Sequence, residues 1–131
     1  MTEIRPAPLA PVSWGELLDK ITILEIKAER ITAGDKRDNV RVELQGLLPL
    51  WEPLAAASPA LAELKASLRQ VNERMWDVQD ALRAKEAAQD FGAEFIELAR
   101  AVAARNGERV GFKNEINRLA GSRFVEEKQY R

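Results

Sequence analysis

Residues 13–31 read S-W-G-E-L-L-D-K-I-T-I-L-E-I-K-A-E-R-I, and this stretch decides the fold class. Ser13 and Glu16 stand at the S-x-x-E spacing of a capping box. The serine hydroxyl can accept from the Glu16 backbone N–H, and the Glu16 carboxylate can reach back to the Ser13 N–H. Trp14, Leu17, Leu18, Ile21, Leu24, Ala28 and Ile31 then recur every three to four residues, the period of one helical face. Gly34 supplies a stop, because glycine adopts the left-handed conformation that closes a helix. A helix is therefore predicted over 13–33. Ile23 and Ile26 fall outside its stripe, roughly on the opposite side at about 100° per residue. A helix that is apolar on two sides is either central to its bundle or shared with a second subunit. A homo-oligomer, with a dimer favoured, is therefore expected.

Working outward, Pro6, Pro8 and Pro11 disfavour helix before Ser13 and leave residues 1–12 as an extended arm. After Gly34, Asp35 or Asp38 can cap a second helix over 37–48, whose face is Val40, Leu44, Leu47 and Leu48. Pro49 and Pro53 are expected to break it, with Trp51 and Leu54 folding over the end of the bundle. Ser58-Pro59 is an N-cap followed by proline at the first helical position. It opens a third helix over 59–89 with the stripe Leu61, Leu64, Leu68, Val71, Met75, Val78 and Leu82. Asn72, Gln79 and Glu86 border that stripe. Asp90 is expected to cap a fourth helix over 91–120, closed by Gly121. Gly107 and Gly111 weaken its middle by about 1 kcal/mol each relative to alanine. Residues 122–131 form a tail in which Phe124, Val125 and Tyr130 are expected to pack back. The whole reads as one all-α domain, a bundle of about four helices. Helices 3 and 4, ~45 Å each at 1.5 Å per residue, form a long antiparallel hairpin.

Composition narrows the chemistry. The 131 residues contain neither Cys nor His. Disulfides, thiolate metal sites, the commonest general base and any Ser-His triad are thereby excluded. The formal net charge is −1, without the basic excess of a dedicated nucleic-acid binder. No run approaches 18 apolar residues, no leader-like segment opens the chain, and no helix joins a basic face to an aromatic apolar one. A cytoplasmic protein without a membrane or nucleic-acid partner is expected.

Three constellations can carry function. The stripe of helix 4, projected beyond Val102, meets Asn106, Arg109, Lys113 and Asn117. If the helix runs on through Gly107, two cations and two amides face the core. On helix 1, Glu25 sits beside the stripe with Lys20 and Lys27 nearby. Buried charge needs a partner, so one reading is a structural layer in which Glu25 meets Arg109 or Lys113. The other is a pocket for a small anion. There Arg109 offers a planar fork, Lys113 a point charge, and Asn106 and Asn117 partners for sugar or amide groups. If helix 4 breaks at Gly107, these residues are merely solvated. The second constellation is Asp77-x-x-Asp80 with Glu94-x-x-Glu97. Paired acids on facing helices can hold Mg²⁺, as in all-helical nucleotide pyrophosphohydrolases, although the order and types differ here and the periodicity turns these acids outward. The third is Trp14 and Trp76, which suit a core, an interface or a platform for a base or sugar.

The opening stretch belongs with M-W-D-V-Q-D-A-L-R-A-K-E (75–86), F-I-E-L-A-R-A-V (95–102), K-N-E-I-N-R-L-A-G-S (113–122) and V-E-E-K-Q-Y (125–130). In these the chain resembles a small uncharacterised bacterial family, a domain of unknown function met in glycosyltransferase and surface-polysaccharide contexts. The resemblance covers nearly the whole chain, and the first motif is its most specific part. It implies a stand-alone helical protein accessory to carbohydrate or nucleotide-sugar work, and it carries no catalytic assignment. Its characteristic Asn-Asp is Asn106-Gly107 here, so any role of that acid is absent. The polar motif positions are Glu16, Asp19, Lys20, Glu25, Lys27, Lys113 and Asn117. Three functions remain open: a non-enzymatic oligomeric or anion-binding module without cofactor, a Mg²⁺-dependent hydrolase built on the acid pairs, and a pure scaffold.

Overall fold

A computed structural model describes residues 5–122 and 126–127. Within them the chain is four α-helices: α1 (Trp14–Arg30), α2 (Gly34–Ala57), α3 (Pro59–Ala87) and α4 (Ala93–Ala120). Residues 5–12 are an exposed arm without regular structure. The expected packing of Phe124, Val125 and Tyr130 lies outside the described residues. No helix among the described residues is long and apolar enough to cross a membrane.

α3 and α4 form the antiparallel hairpin, and α1 packs against all three other helices. The two-sided apolar pattern of α1 thus has an internal cause. Leu18 and Ile21 join Trp51, Leu61, Leu68 and Ile116 in the apolar core. Gly15, Asp19, Thr22 and Ile26 form a second buried line one position round the helix. Their spacing of four, three and four residues is again helical, with Ile26 as its apolar end.

Helix boundaries depart from expectation in three places. α1 ends at Arg30 with Ile31 extended, and Gly34 is the first residue of α2 rather than a stop. The Ile31 N–H closes the helix on the Lys27 carbonyl at 2.9 Å, and Arg37 Nε donates to the next carbonyl, that of Ala28, at 2.9 Å. α2 has no side-chain cap, so neither Asp35 nor Asp38 plays that part, and it runs unbroken through Pro49 and Pro53. Both prolines are exposed, four residues apart on one face, while Leu44, Leu48 and Trp51 pack inward from the other. The lost backbone bonds therefore fall towards water, where the freed carbonyls can be solvated. Finally, α4 starts at Ala93 after Gly92, not at Asp90. α3 closes with a Schellman motif: the Gln89 N–H donates to Glu86 O and the Asp90 N–H to Lys85 O. Gln89 is left-handed at φ 55°, and the motif consumes the turn in which Asp90 would have capped. α4 is continuous across Gly107 and Gly111, and Gly121, at φ 73°, closes it as expected.

Candidate functional site

The N-terminus of α1 is fastened to the C-terminal half of α4. The Trp14 N–H donates to Ser122 Oγ at 2.9 Å and the Gly15 N–H to Asn117 Oδ1 at 2.7 Å. The Glu16 N–H donates to Ser13 Oγ and the Leu17 N–H to Ser13 O. The amides of Trp14, Gly15 and Glu16, which have no partner within the helix, are thus met by the chain itself. The contact is tight: a Cβ on Gly15 would stand 2.4 Å from the Lys113 carbonyl oxygen and 2.9 Å from Asn117 Oδ1. Only glycine permits this approach of helix to helix.

One turn further, the buried line of α1 becomes ionic. Asp19, 4% exposed, takes a two-pronged bond from Arg109: Nε donates to Oδ1 at 2.9 Å and Nη2 to Oδ2. Asn72 Nδ2 donates to Asp19 Oδ1 and to Thr22 Oγ1, each at 2.9 Å, and Thr22 Oγ1 donates to the Asp19 carbonyl. Lys113, 3% exposed, places Nζ 2.7 Å from Glu16, 2.9 Å from Glu126 and 3.9 Å from Asp19. Glu126 is held in turn by the Asn114 side chain, whose Nδ2 donates to the Glu126 carbonyl and whose Oδ1 accepts from the Glu126 N–H, each at 3.0 Å. Burial pulls the Lys113 ammonium down, but its bonds to Glu16 and Glu126 and the charge of Asp19 outweigh that, so its pKa lies above the ordinary lysine value. The Arg109 guanidinium is held above its ordinary value by its bond to Asp19.

Every buried polar residue among the described residues (Ser13, Asp19, Thr22, Asn72, Lys113 and Asn117) belongs to this assembly. The polar strip foreseen on α4 therefore faces the core at Arg109, Lys113 and Asn117, with acids and amides of the chain around it. The acid opposite Arg109 is Asp19, not Glu25. Glu25 points to α3, 2.9 Å from Lys65 and 3.7 Å from Arg69. The difference is geometric: Asp19 lies on the second buried line and Glu25 does not. Lys20 is an exposed partner of Glu43 at 3.2 Å, and Asn106 is half-buried. Glu16 leaves its capping-box role to pair with Lys113.

Two cavities flank the assembly. A groove of about 710 Å³ between α1, α2 and the arm is lined by Leu9, Leu17, Leu47 and Leu50, with the Lys20–Glu43 pair at its edge, and it shares Ile23 and Lys27 with the second cavity while Glu16 and Asp19 also border it. A cavity of about 360 Å³ between α1, α3 and α4 is different in kind. Lys27, Arg83 and Arg109 converge on it, together with the amides of Asn72 and Gln79. Ile23, Ile26, Met75 and the Trp76 indole complete its wall, and among the described residues no carboxylate lines it. Two of the three Arg109 nitrogens bond Asp19. Arg83, its side chain 66% exposed, pairs with Asp80 at 3.8 Å, and Lys27 enters no ion pair among the described residues. Elsewhere Arg30, Lys65, Arg69, Lys85 and Arg105 each meet a carboxylate within 3 Å. Of the expected site residues, this cavity gathers Lys27 and Arg109 and leaves out Lys20, Glu25, Asn106, Lys113 and Asn117. Arg83 was missed because it lies beside the α3 stripe, where a cation reads as solvated.

The acid pairs do not assemble. Asp77 lies 2.6 Å from Arg30, Asp80 3.8 Å from Arg83 and Glu94 2.7 Å from Lys85, and all four acids are exposed. Among the described residues no group of three acids converges to hold a metal ion. The geometry required of a Mg²⁺-dependent hydrolase is therefore not met by these residues.

The molecule is thus a four-helix all-α protein with one buried ionic assembly and one cation-lined cavity. Its sequence matches the profile of a family of unknown function, DUF6165, over residues 10–131, and the chain belongs to that family. No curated protein and no solved structure matches it.

Proposed function

We propose that this protein is a non-enzymatic module that binds a small anion in the cavity between α1, α3 and α4, and that it acts in the cytoplasm. The observation that carries the reading is the imbalance of charge. Lys27, half-buried and in no ion pair among the described residues, and Arg83, an exposed cation that meets Asp80 only at 3.8 Å, border a cavity that no described carboxylate lines. An anion would supply the missing partner, and a semi-enclosed site strengthens the attraction relative to open water. The neighbouring ionic assembly has a structural part: it fixes α1 against α3 and α4 and presents Arg109 with its Nη1 edge unbonded. The carbohydrate or nucleotide-sugar setting implied by the family resemblance is compatible with an anionic ligand.

Thermal unfolding in rising phosphate, sulfate and citrate tests the reading. An anion that binds only the native state at a hundredfold excess over Kd adds about 2.7 kcal/mol, a rise of several degrees for a domain of this size. The rise is expected in the wild type and absent in Lys27→Ala/Arg83→Ala. Equal midpoints in all anions for both proteins would remove the reading. Arg109 and Lys113 are unsuitable probes, because their loss would itself lower the midpoint by stranding Asp19, Glu16 or Glu126.

A second copy of the chain is a further reading, favoured by the far half of the hairpin. No residue between Met75 and Lys113 is fully buried, and Phe91 and Ile96 are 48% and 50% exposed. Two helices alone cannot cover their apolar residues. Sedimentation velocity over a hundredfold range of concentration decides this, and a monomer throughout would exclude it.

A further inference from the structure

Resting on the anion reading of the same cavity, we infer the class of ligand: a phosphomonoester joined to a planar or apolar group. Charge sets the first limit. The Arg109 charge is already met by Asp19 and the exposed Arg83 is met in part by Asp80 at 3.8 Å, so Lys27 and the remainder of the Arg83 charge leave between one and two positive charges to be balanced. A phosphomonoester carries between −1.5 and −2 near neutral pH. A single carboxylate can meet Lys27 and leaves Arg83 only its distant Asp80, and a polyphosphate brings surplus negative charge towards Asp19.

The wall opposite the cations sets the second limit. Ile23, Ile26, Met75 and Trp76 line the cavity, and inorganic phosphate would leave them against water. Burying apolar area contributes roughly 25 cal/mol per Å², so a ligand that also covers this wall binds more tightly than its phosphate alone. The Trp76 indole is braced for such a contact, since the Arg30 guanidinium lies 5.8 Å from its ring centroid and pairs with Asp77 behind it. Between wall and cations, Asn72 uses its Nδ2 for Asp19 and Thr22, which leaves its Oδ1 to accept from a ligand hydroxyl or amine. Volume sets the third limit. About 360 Å³ lies at the low end of small-molecule sites, enough for a ring with one phosphate and too little for a dinucleotide.

The test is calorimetric titration of the full chain with inorganic phosphate, phenyl phosphate, phenol, adenosine 5′-monophosphate, adenosine 5′-triphosphate and adenosine. The two ring-bearing monophosphates are expected to bind at least tenfold more tightly than inorganic phosphate. The triphosphate should bind no more tightly than the monophosphate, and phenol and adenosine should give no heat. Lys27→Ala and Arg83→Ala should each weaken every phosphate by tenfold or more. Trp76→Leu should abolish the advantage of the ring and leave inorganic phosphate unchanged. Equal affinity for phosphate and phenyl phosphate, or tighter binding of the triphosphate, overturns the ligand class and leaves the anion site standing. No binding of any phosphate, or binding indifferent to Lys27 and Arg83, overturns both. The ligand series on the wild-type protein decides between these results even if Trp76→Leu fails to fold.

Discussion

Asp19 is the acid on which the interior turns. It is almost wholly buried, it accepts from Arg109 and Asn72, and Lys113 stands 3.9 Å away. Removing one member of a buried pair strands the other charge and costs about 3–5 kcal/mol, whereas replacing both by apolar groups of similar size is often neutral or better. Asp19→Ala is therefore expected to lower the unfolding free energy in urea by about that amount. Asp19→Leu/Arg109→Met should recover most of it, and a double variant as unstable as the single one would contradict the pairing. Lys113 makes a separate prediction. Its pKa is raised in the folded chain, so its contribution is complete below the unfolded value of about 10.4 and is lost as pH climbs through the folded one. Wild-type stability should fall relative to Lys113→Met as pH rises above the unfolded lysine value of about 10.4, as followed by chemical unfolding at stepped pH. Parallel profiles for the two proteins would contradict it.

At the scale of elements, the sequence and the structure disagree most where long-range partners replaced local signals. Gly107 is a clear case. It is a weak helix residue, yet α4 passes through it with nothing within 4 Å of the site of a Cβ. Gly107→Ala is expected to raise stability by about 0.8–1 kcal/mol, read as a higher urea midpoint at unchanged slope. A loss of stability would mean that the helix is not regular there. The helix count, the hairpin, the Ser13 and Ser58 caps and the Gly121 stop were legible, because apolar period and capping are local properties. The run of α2 through Pro49 and Pro53 was not, because it depends on which face the prolines occupy once Trp51 is buried. The polar strip of α4 could be read from its period, but the partner of Arg109 could not. Asp19 and Glu25 both border the apolar stripe of α1, and only the packing of Gly15 against Lys113 and Asn117 rotates Asp19 inward. The cue was available in the line Gly15, Asp19, Thr22 and Ile26, where a glycine and a threonine share the period of an isoleucine. The cavity itself was illegible, since it joins Lys27, Arg83 and Arg109 from three helices.

For the whole molecule, the proposed anion site would divide the labour, with the ionic assembly holding the helices and the cavity receiving a ligand. α1 supplies both, with Asp19 turned to the assembly and Lys27 to the cavity. Binding should therefore alter few residues beyond the cavity wall, because the polar groups behind it already have partners. The measurement that tests this most directly is a ¹H–¹⁵N NMR titration of the full chain with phenyl phosphate, following side-chain as well as backbone signals. Saturable shifts are expected, concentrated at the Trp76 indole N–H, the Asn72 and Gln79 side-chain amides and the Arg83 Nε–H, with Gly15 and Trp14 little changed. Shifts that never saturate, or that gather instead around Leu9, Leu47 and Leu50 in the other groove, would contradict it.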